Sequence, residues 1–182
     1  MDYLFKKGSV SVRKMRDSIC DYVFLAEWLS QSVDTDDNSG ELENVLKNYN
    51  PKTMADRGVM PCIIEYDGIA VGYIQYYYIN NDDCEVSEEL LLKNYEKPIG
   101  INILISDVKY QNRGIGTETI KNMLDYLLKN EGADIVIIDS KADNEKAIHC
   151  YEKIGFSKVE TILDDNADDV STDKVILVAK AS

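Results

Sequence analysis

Residues 110–128 read YQNRGIGTETIKNMLDYLL and follow a largely apolar run at 100–106. The apolar side chains from Ile120 to Leu128 recur at helical spacing, with charged residues between them. Gly114 and Gly116 let the backbone turn tightly where this helix begins. The first N–H groups of a helix lack intrahelical acceptors and lie at its positive end, so the stretch predicts a diphosphate site. Taken alone, a G-x-G before a helix is equally typical of a plain strand-to-helix turn.

A second motif, NEKAIHCYEKIGF, occupies residues 144–156. Asn144 is a good helix cap, and Gly155 is a good stop for a helix that carries Tyr151. The spacing Q-x-x-G-x-G at 111–116, followed after one helix and one strand by N-x-x-A-I-x-x-Y-x-K-x-G-F, resembles the GCN5-related N-acetyltransferase (GNAT) superfamily. The second pattern is much more specific than the first. The two patterns also occur in the order that the superfamily has, which argues against a chance match.

The rest of the chain predicts an α/β fold with three layers around one mixed sheet. An Asp67-Gly68 pair between two strand-like runs predicts a hairpin. The predicted strands lie at 10–12, 61–66, 69–79, 100–106, 135–139, 156–163 and 174–179, and the predicted helices at 19–29, 42–49, 114–130 and 144–154. We expect a single domain over 1–182. The resemblance implies that the central strands 101–106 and 135–139 splay apart, that 1–96 forms mainly the acceptor side, and that 97–182 carries the cofactor motifs.

The resemblance also implies acetyl-CoA as co-substrate. The backbone of Ile105 and Ser106 would bind its pantetheine arm, Asn144 would reach the arm's amides, and Tyr151 would donate a proton to the leaving thiolate. A core-facing aromatic remains the alternative for Tyr151, and a plain helix cap for Asn144. The residues implied at the diphosphate are Gln111, Asn112, Arg113, Gly114, Ile115, Gly116 and Thr117.

Shorter segments at 27–29, 63–66 and 71–75 resemble one branch of that superfamily, the aminoglycoside 6′-N-acetyltransferases. This implies an acyltransferase that acetylates a primary amine of an aminoglycoside antibiotic, a resistance activity, with the 6′-amine as the expected position. A protonated aminosugar needs carboxylates, and Asp139 is the best candidate because it ends a buried strand. The weaker candidates, for which a solvated charge or ordinary packing is the commoner role, are Glu65, Asp82, Asp83, Asp164 and Trp28.

Asn102 is a further candidate for acceptor binding and catalysis, but it departs from this branch, which carries an aspartate at that position. Asparagine can accept a hydrogen bond but cannot take a proton from the amine. A water chain ending at Asp139 would be one route for the proton. Otherwise the enzyme works slowly, or its acceptor is less cationic than an aminoglycoside. Two alternatives therefore stay open: acetylation of another small amine or a protein N-terminus, and a catalytically weak module that binds acetyl-CoA or aminoglycosides.

Net charge and composition limit the classes of partner that this chain is expected to bind. The chain has 33 acidic and 20 basic residues, a formal net charge of −13. Such a surface repels nucleic acid and anionic membranes and favours a cationic small molecule, although solubility alone also explains it. Without a signal-like or membrane-spanning apolar run, we expect a cytoplasmic protein, monomeric or homodimeric. The four cysteines (Cys20, Cys62, Cys84, Cys150) lack metal-site spacing, so we expect no metal.

Overall fold

The computed structural model describes residues 2–31, 40–79, 95–105, 109–162 and 173–181. These residues form two compact units. The first unit consists of Met1–Tyr77 and Ile103–Asn122, and the second of Tyr78–Asn102 and Met123–Ser182. The single domain over 1–182, with its acceptor and cofactor sides, stays a prediction.

The first unit begins with an antiparallel sheet in the order β1-β2-β3-β4. Its strands are β1 (Tyr3–Lys7), β2 (Val10–Lys14), β3 (Val59–Tyr66) and β4 (Ile69–Tyr78), and its helices are α1 (Ile19–Ser30), α2 (Leu42–Asn48) and α3 (Pro51–Asp56). The predicted strand at Val10 and Val12 is confirmed, and both side chains are buried. One buried cluster joins α1, α2 and the sheet through residues such as Leu25, Val45 and Ile63.

Strand β1 and helix α3 were not predicted. Strand β1 has no strict alternation and is defined by its pairing with β2, which local sequence does not show. The signal for α3 was present, because Asn50 accepts hydrogen bonds from the backbone N–H groups of Lys52 and Thr53, and Pro51 is the first helical residue. Proline fits that position since its missing N–H has no intrahelical acceptor to reach.

The predicted Asp67-Gly68 hairpin is confirmed. Tyr66 pairs with Ile69, which leaves Asp67 and Gly68 as a two-residue loop. Both have positive φ, 49° for Asp67 and 80° for Gly68. Such a turn matches the right-handed twist of its strands, so the sequence pair fixes the register of β3 and β4.

The second unit contains strands that pair in the order β5-β6-β8-β7, except that Ile103 and Leu104 at the end of β5 belong to the first unit. They are β5 (Pro98–Leu104), β6 (Ile135–Lys141), β7 (Ser157–Ile162) and β8 (Lys174–Lys180). Strands β5 and β6 are parallel, whereas β8 is antiparallel to both β6 and β7. The pairing is therefore mixed, and the predicted α/β class is confirmed.

Strands β5 and β6 pair over only part of their lengths. Pairing runs from Pro98 and Ile135 to Ile101 and Ile138. Strand β5 continues to Leu104 and β6 to Lys141, and no further pairs join them within the described residues. The described pairing of the two strands thus ends at Ile101 and Ile138.

Two helices complete the fold. Helix α4 (Ile115–Tyr126) continues into a π-helical turn at Leu127–Glu131, and α5 covers Glu145–Lys153. Gly132 ends the π-helical turn with φ 71°, a left-handed conformation that glycine adopts readily after a helix. No helix in the described ranges is long and apolar enough to cross a bilayer.

Candidate active site

The loop before α4 has an unusual backbone. Asn112 and Gly114 both have positive φ, 59° and 79°, on either side of Arg113. Helix α4 then begins at Ile115, and the N–H of Glu118 donates to the carbonyl oxygen of Gly114 over 2.9 Å. Asparagine and glycine are the residues that adopt left-handed backbone most readily, so the sequence encodes this turn locally.

The loop leaves room for an anion. A Cβ placed on Gly114 would have no heavy atom within 4 Å, and residues 111–114 are exposed. The first N–H groups of α4 have no acceptor inside the helix, and the Arg113 guanidinium adds positive charge beside them. These features fit the diphosphate of a nucleotide-containing co-substrate. Ile115 is buried, so only its backbone is available to such a ligand.

Gln111 ties the loop to the end of β5. Its side-chain Nε2 donates to the carbonyl oxygen of Ile105 over 3.0 Å. Strand β5 approaches β4 closely at this end, because a Cβ on Gly72 would lie 2.5 Å from the Leu104 carbonyl oxygen. Of the other residues implied at the cofactor, Gly116 and Thr117 are half-buried in the first turn of α4. Ser106 lies outside the described residues.

Arg113 has two aromatic neighbours that the sequence analysis missed. Its Cζ lies 5.5 Å from the ring centroid of Tyr66 and 5.9 Å from that of Tyr110. The two rings are 6.1 Å apart, tilted by 56°. Tyr66 belongs to the β3–β4 hairpin, far from the loop in sequence, so no local pattern could have indicated the contact.

In the second unit, α5 presents Tyr151 in a half-buried position. The Tyr151 ring lies 6.2 Å from the ring of Phe156, and Asn144 caps the helix by accepting from the N–H of Ala147. Burial raises the pKa of the Tyr151 phenol to about 12, and Asp139 and Cys150 act in the same direction. The phenol therefore keeps its proton at neutral pH.

The predicted acceptor carboxylates have different surroundings. Glu65 is buried and accepts hydrogen bonds from Arg13 (2.7 Å), Tyr3 (2.9 Å) and Ser11 (3.4 Å). Asp139 is half-buried in β6, and no described residue forms an ion pair with it. Asp82, Asp83 and Asp164 lie outside the described residues.

Two other predicted acceptor residues are described. Trp28 is only 5% exposed and stacks on Phe24 at a centroid distance of 5.8 Å, within the cluster that α1 buries. Asn102 is exposed on β5. The structure thus bonds Gln111 of the loop to Ile105 in the first unit, and in the second unit the charge of Asp139 contributes to the raised pKa of Tyr151. Among the described residues, no group of three or more His, Cys, Asp or Glu side chains could hold a metal ion.

Comparison with known proteins places the chain in a family. Residues 17–163 match the family described as Acetyltransferase (GNAT) domain. The chain belongs to this family. GNAT membership makes it an acyltransferase by class, and it confirms the resemblance seen in the two motifs at 111–116 and 144–156.

Two curated relatives and one solved structure are similar to this GNAT chain. The aminoglycoside N(6′)-acetyltransferase type 1 of Klebsiella pneumoniae is 29% identical over 160 residues, which cover 85% of this chain and 77% of that protein. A crystal structure of aminoglycoside acetyltransferase AAC(6′)-Ib with coenzyme A and kanamycin is 25% identical, with a TM-score of 0.74 and coverage of 94% and 95%. The spermidine N(1)-acetyltransferase of Escherichia coli K12 is 29% identical over 114 residues, 62% of this chain and 53% of that enzyme.

Proposed function

We propose that this chain transfers the acetyl group of acetyl-CoA to a primary amine of an aminoglycoside, with the 6′-amine as the expected position. The observation that carries the proposal is the exposed loop with left-handed Asn112 and Gly114, which opens onto the first turn of α4. Aminoglycoside acetyltransferases among the relatives align over most of the chain, which supports this acceptor class.

The proposed role of each residue at the cofactor follows from the hydrogen-bond donors or the charge that it has available. The backbone N–H groups of 114–117 and the Arg113 guanidinium would hold the diphosphate of acetyl-CoA, which supplies the activated acetyl thioester. The cap uses the side-chain oxygen of Asn144, so its NH₂ group is the donor left for the pantetheine arm. Ile105 would contribute its backbone, as the resemblance implies.

Tyr151 would assist the departing sulfur. With a pKa of about 12, the phenol is fully protonated in the range where enzymes work. Complete proton transfer to a thiolate of ordinary pKa, about 8.5, would be uphill. Tyr151 would therefore act as a hydrogen-bond donor that stabilises negative charge as it develops on the sulfur, in the manner of other positioned donors.

Asp139 would bind the cationic acceptor and take up its proton. The attacking amine must be neutral, and Asn102 cannot accept a proton. A carboxylate without an ion-pair partner in the described residues is available for both tasks. Asp139 would take the first proton from the ammonium group, directly or through water, and the neutral amine would attack the acetyl carbonyl carbon. The carbon–sulfur bond would then break, and the second proton, shed by the nitrogen, would pass to the leaving thiolate of coenzyme A.

Asn102 and the spermidine acetyltransferase relative together favour a second candidate, acetylation of a smaller polyamine. A release assay for the coenzyme A thiol with kanamycin, spermidine and a peptide N-terminus, followed by mass spectrometry of the products, separates the alternatives. Acetylated kanamycin supports the proposal. Turnover confined to spermidine or peptide supports the second enzymatic function, and binding without product supports a sequestering module.

A matched pair of variants tests the cofactor site. Aspartate and asparagine have the same size and both tolerate positive φ, so Gly114→Asp and Gly114→Asn differ only in charge. We expect acetyl-CoA to bind Gly114→Asp about tenfold or more weakly than Gly114→Asn, because a carboxylate would face the diphosphate. Calorimetric titration measures the ratio, and equal affinities would exclude the diphosphate from this loop.

A further inference from the structure

We propose that Tyr66 is a positioning residue for acetyl-CoA, which fixes Arg113 and the phosphate loop from outside the loop. The inference rests on the proposed function, since it concerns the affinity of the same co-substrate. It is carried by the contacts of Arg113 with two aromatic rings, of which only Tyr110 belongs to the loop itself.

Tyr66 stands on a firm frame. It pairs with Val10 of β2 on one side and with Ile69 of β4 on the other. The next residue, Asp67, donates its N–H to the carbonyl oxygen of Ser9 over 2.8 Å. Backbone that is hydrogen-bonded in a sheet on both sides moves little, so the Tyr66 ring provides a fixed surface.

The loop, in contrast, needs external support. Arg113 is exposed and lies between two left-handed residues, Asn112 and Gly114. A long exposed arginine samples many rotamers, and each must be given up when a phosphate is bound. A guanidinium attracted to a tyrosine face keeps its N–H donors at the edge of its plane, so contact with Tyr66 restricts the side chain without using those donors.

The contact predicts a specific pattern of losses. Tyr66→Phe keeps the ring face and should bind acetyl-CoA within about twofold of the wild type, since the hydroxyl is not used. Tyr66→Leu keeps apolar bulk but has no ring, and it should bind about fivefold more weakly. Ile69→Ala, an exposed change in the same hairpin, is the control for general disturbance and should have no effect.

Calorimetric titration with acetyl-CoA gives the affinities, and kinetics with S-acetylpantetheine, which lacks the diphosphate, supplies the readout that separates positioning from folding. We expect Tyr66→Leu to raise the KM for acetyl-CoA while leaving kcat, and the KM for S-acetylpantetheine, unchanged. In an Arg113→Leu background, Tyr66→Leu should cause no further loss, because its effect passes through Arg113.

Equal acetyl-CoA affinity of Tyr66→Leu and wild type would overturn the inference. So would an equal loss with S-acetylpantetheine, or a full fivefold loss in the Arg113→Leu background. These results leave the proposed function intact if the wild type binds acetyl-CoA. A wild-type protein that does not bind acetyl-CoA would overturn both.

Discussion

Glu65 in β3 and Asp139 in β6 are both carboxylates on largely apolar strands, yet the fold gives them opposite surroundings. Glu65 is 6% exposed and its oxygens accept from Arg13, Tyr3 and Ser11. Asp139 is half-buried, has no ion-pair partner among the described residues, and acts electrostatically on Tyr151. A carboxylate whose acceptors are satisfied within the fold serves stability, whereas one without such partners is available for chemistry.

Arg13 is the centre of the first arrangement. Only 2% exposed, it contacts Glu65 and also Asp21, over 2.6 Å, and Asp21 receives a second guanidinium from Arg16 at 3.0 Å. Two arginines thus balance two carboxylates. Removing one member of such a buried set leaves an uncompensated charge, so the set is expected to be fragile to single substitutions.

The largest effect is expected at Asp139, the carboxylate without an ion-pair partner among the described residues. Asp139→Asn should lower kcat/KM for acetyl transfer about a thousandfold, because in the proposed mechanism Asp139 accepts the amine proton. Its midpoint of urea unfolding should stay close to that of the wild type. Steady-state kinetics and urea denaturation check the two halves, and a variant that keeps its rate would remove Asp139 from the mechanism.

Substitution of Glu65, whose oxygens are hydrogen-bonded within the fold, should lower stability and leave activity unchanged. Glu65→Gln is expected to lower the free energy of unfolding by about 3 kcal/mol, since Arg13 loses a charged partner in a buried site. Acetyl transfer per folded molecule should be retained. Urea denaturation with activity measured on the folded fraction tests this, and a stable variant with reduced turnover would return Glu65 to the acceptor site.

The smallest effect concerns how the free energy of unfolding changes at low pH, where Asp21 becomes protonated and loses its ion pairs with Arg13 and Arg16. Burial alone would raise the pKa of Asp21, but hydrogen bonds from Arg13 and Arg16 outweigh it and lower the pKa to about 2. The folded state therefore binds this proton less readily than the unfolded state, whose pKa is near 3.8. The resulting stability is present above about pH 4 and is lost as the pH falls through about 2.

We expect this group to account for about 2 kcal/mol of the wild-type stability lost across that window. Asp21→Asn, already less stable at neutral pH, should have a flatter profile below pH 4. Urea unfolding at a series of pH values measures both curves. Parallel curves would show that Asp21 is not the titrating group.

Features set by neighbouring residues were predicted well. The Asp67-Gly68 turn and the Asn144 cap both appear as expected, because each depends on backbone preferences within a few residues. The loop before α4 belongs to the same class, since Asn112 and Gly114 supply its two left-handed positions. Strand β1 was missed because it exists through pairing with β2.

The sequence by itself determined the α/β class, the turn before α4 and the motif around Tyr151, since spacing and turn chemistry are written into consecutive residues. Only the tertiary structure decided which carboxylate is closed by Arg13, and which ring lies against Arg113. Both outcomes depend on side chains brought together from distant parts of the chain. The free energy of a charge is set by such neighbours and by burial, which the order of residues does not state.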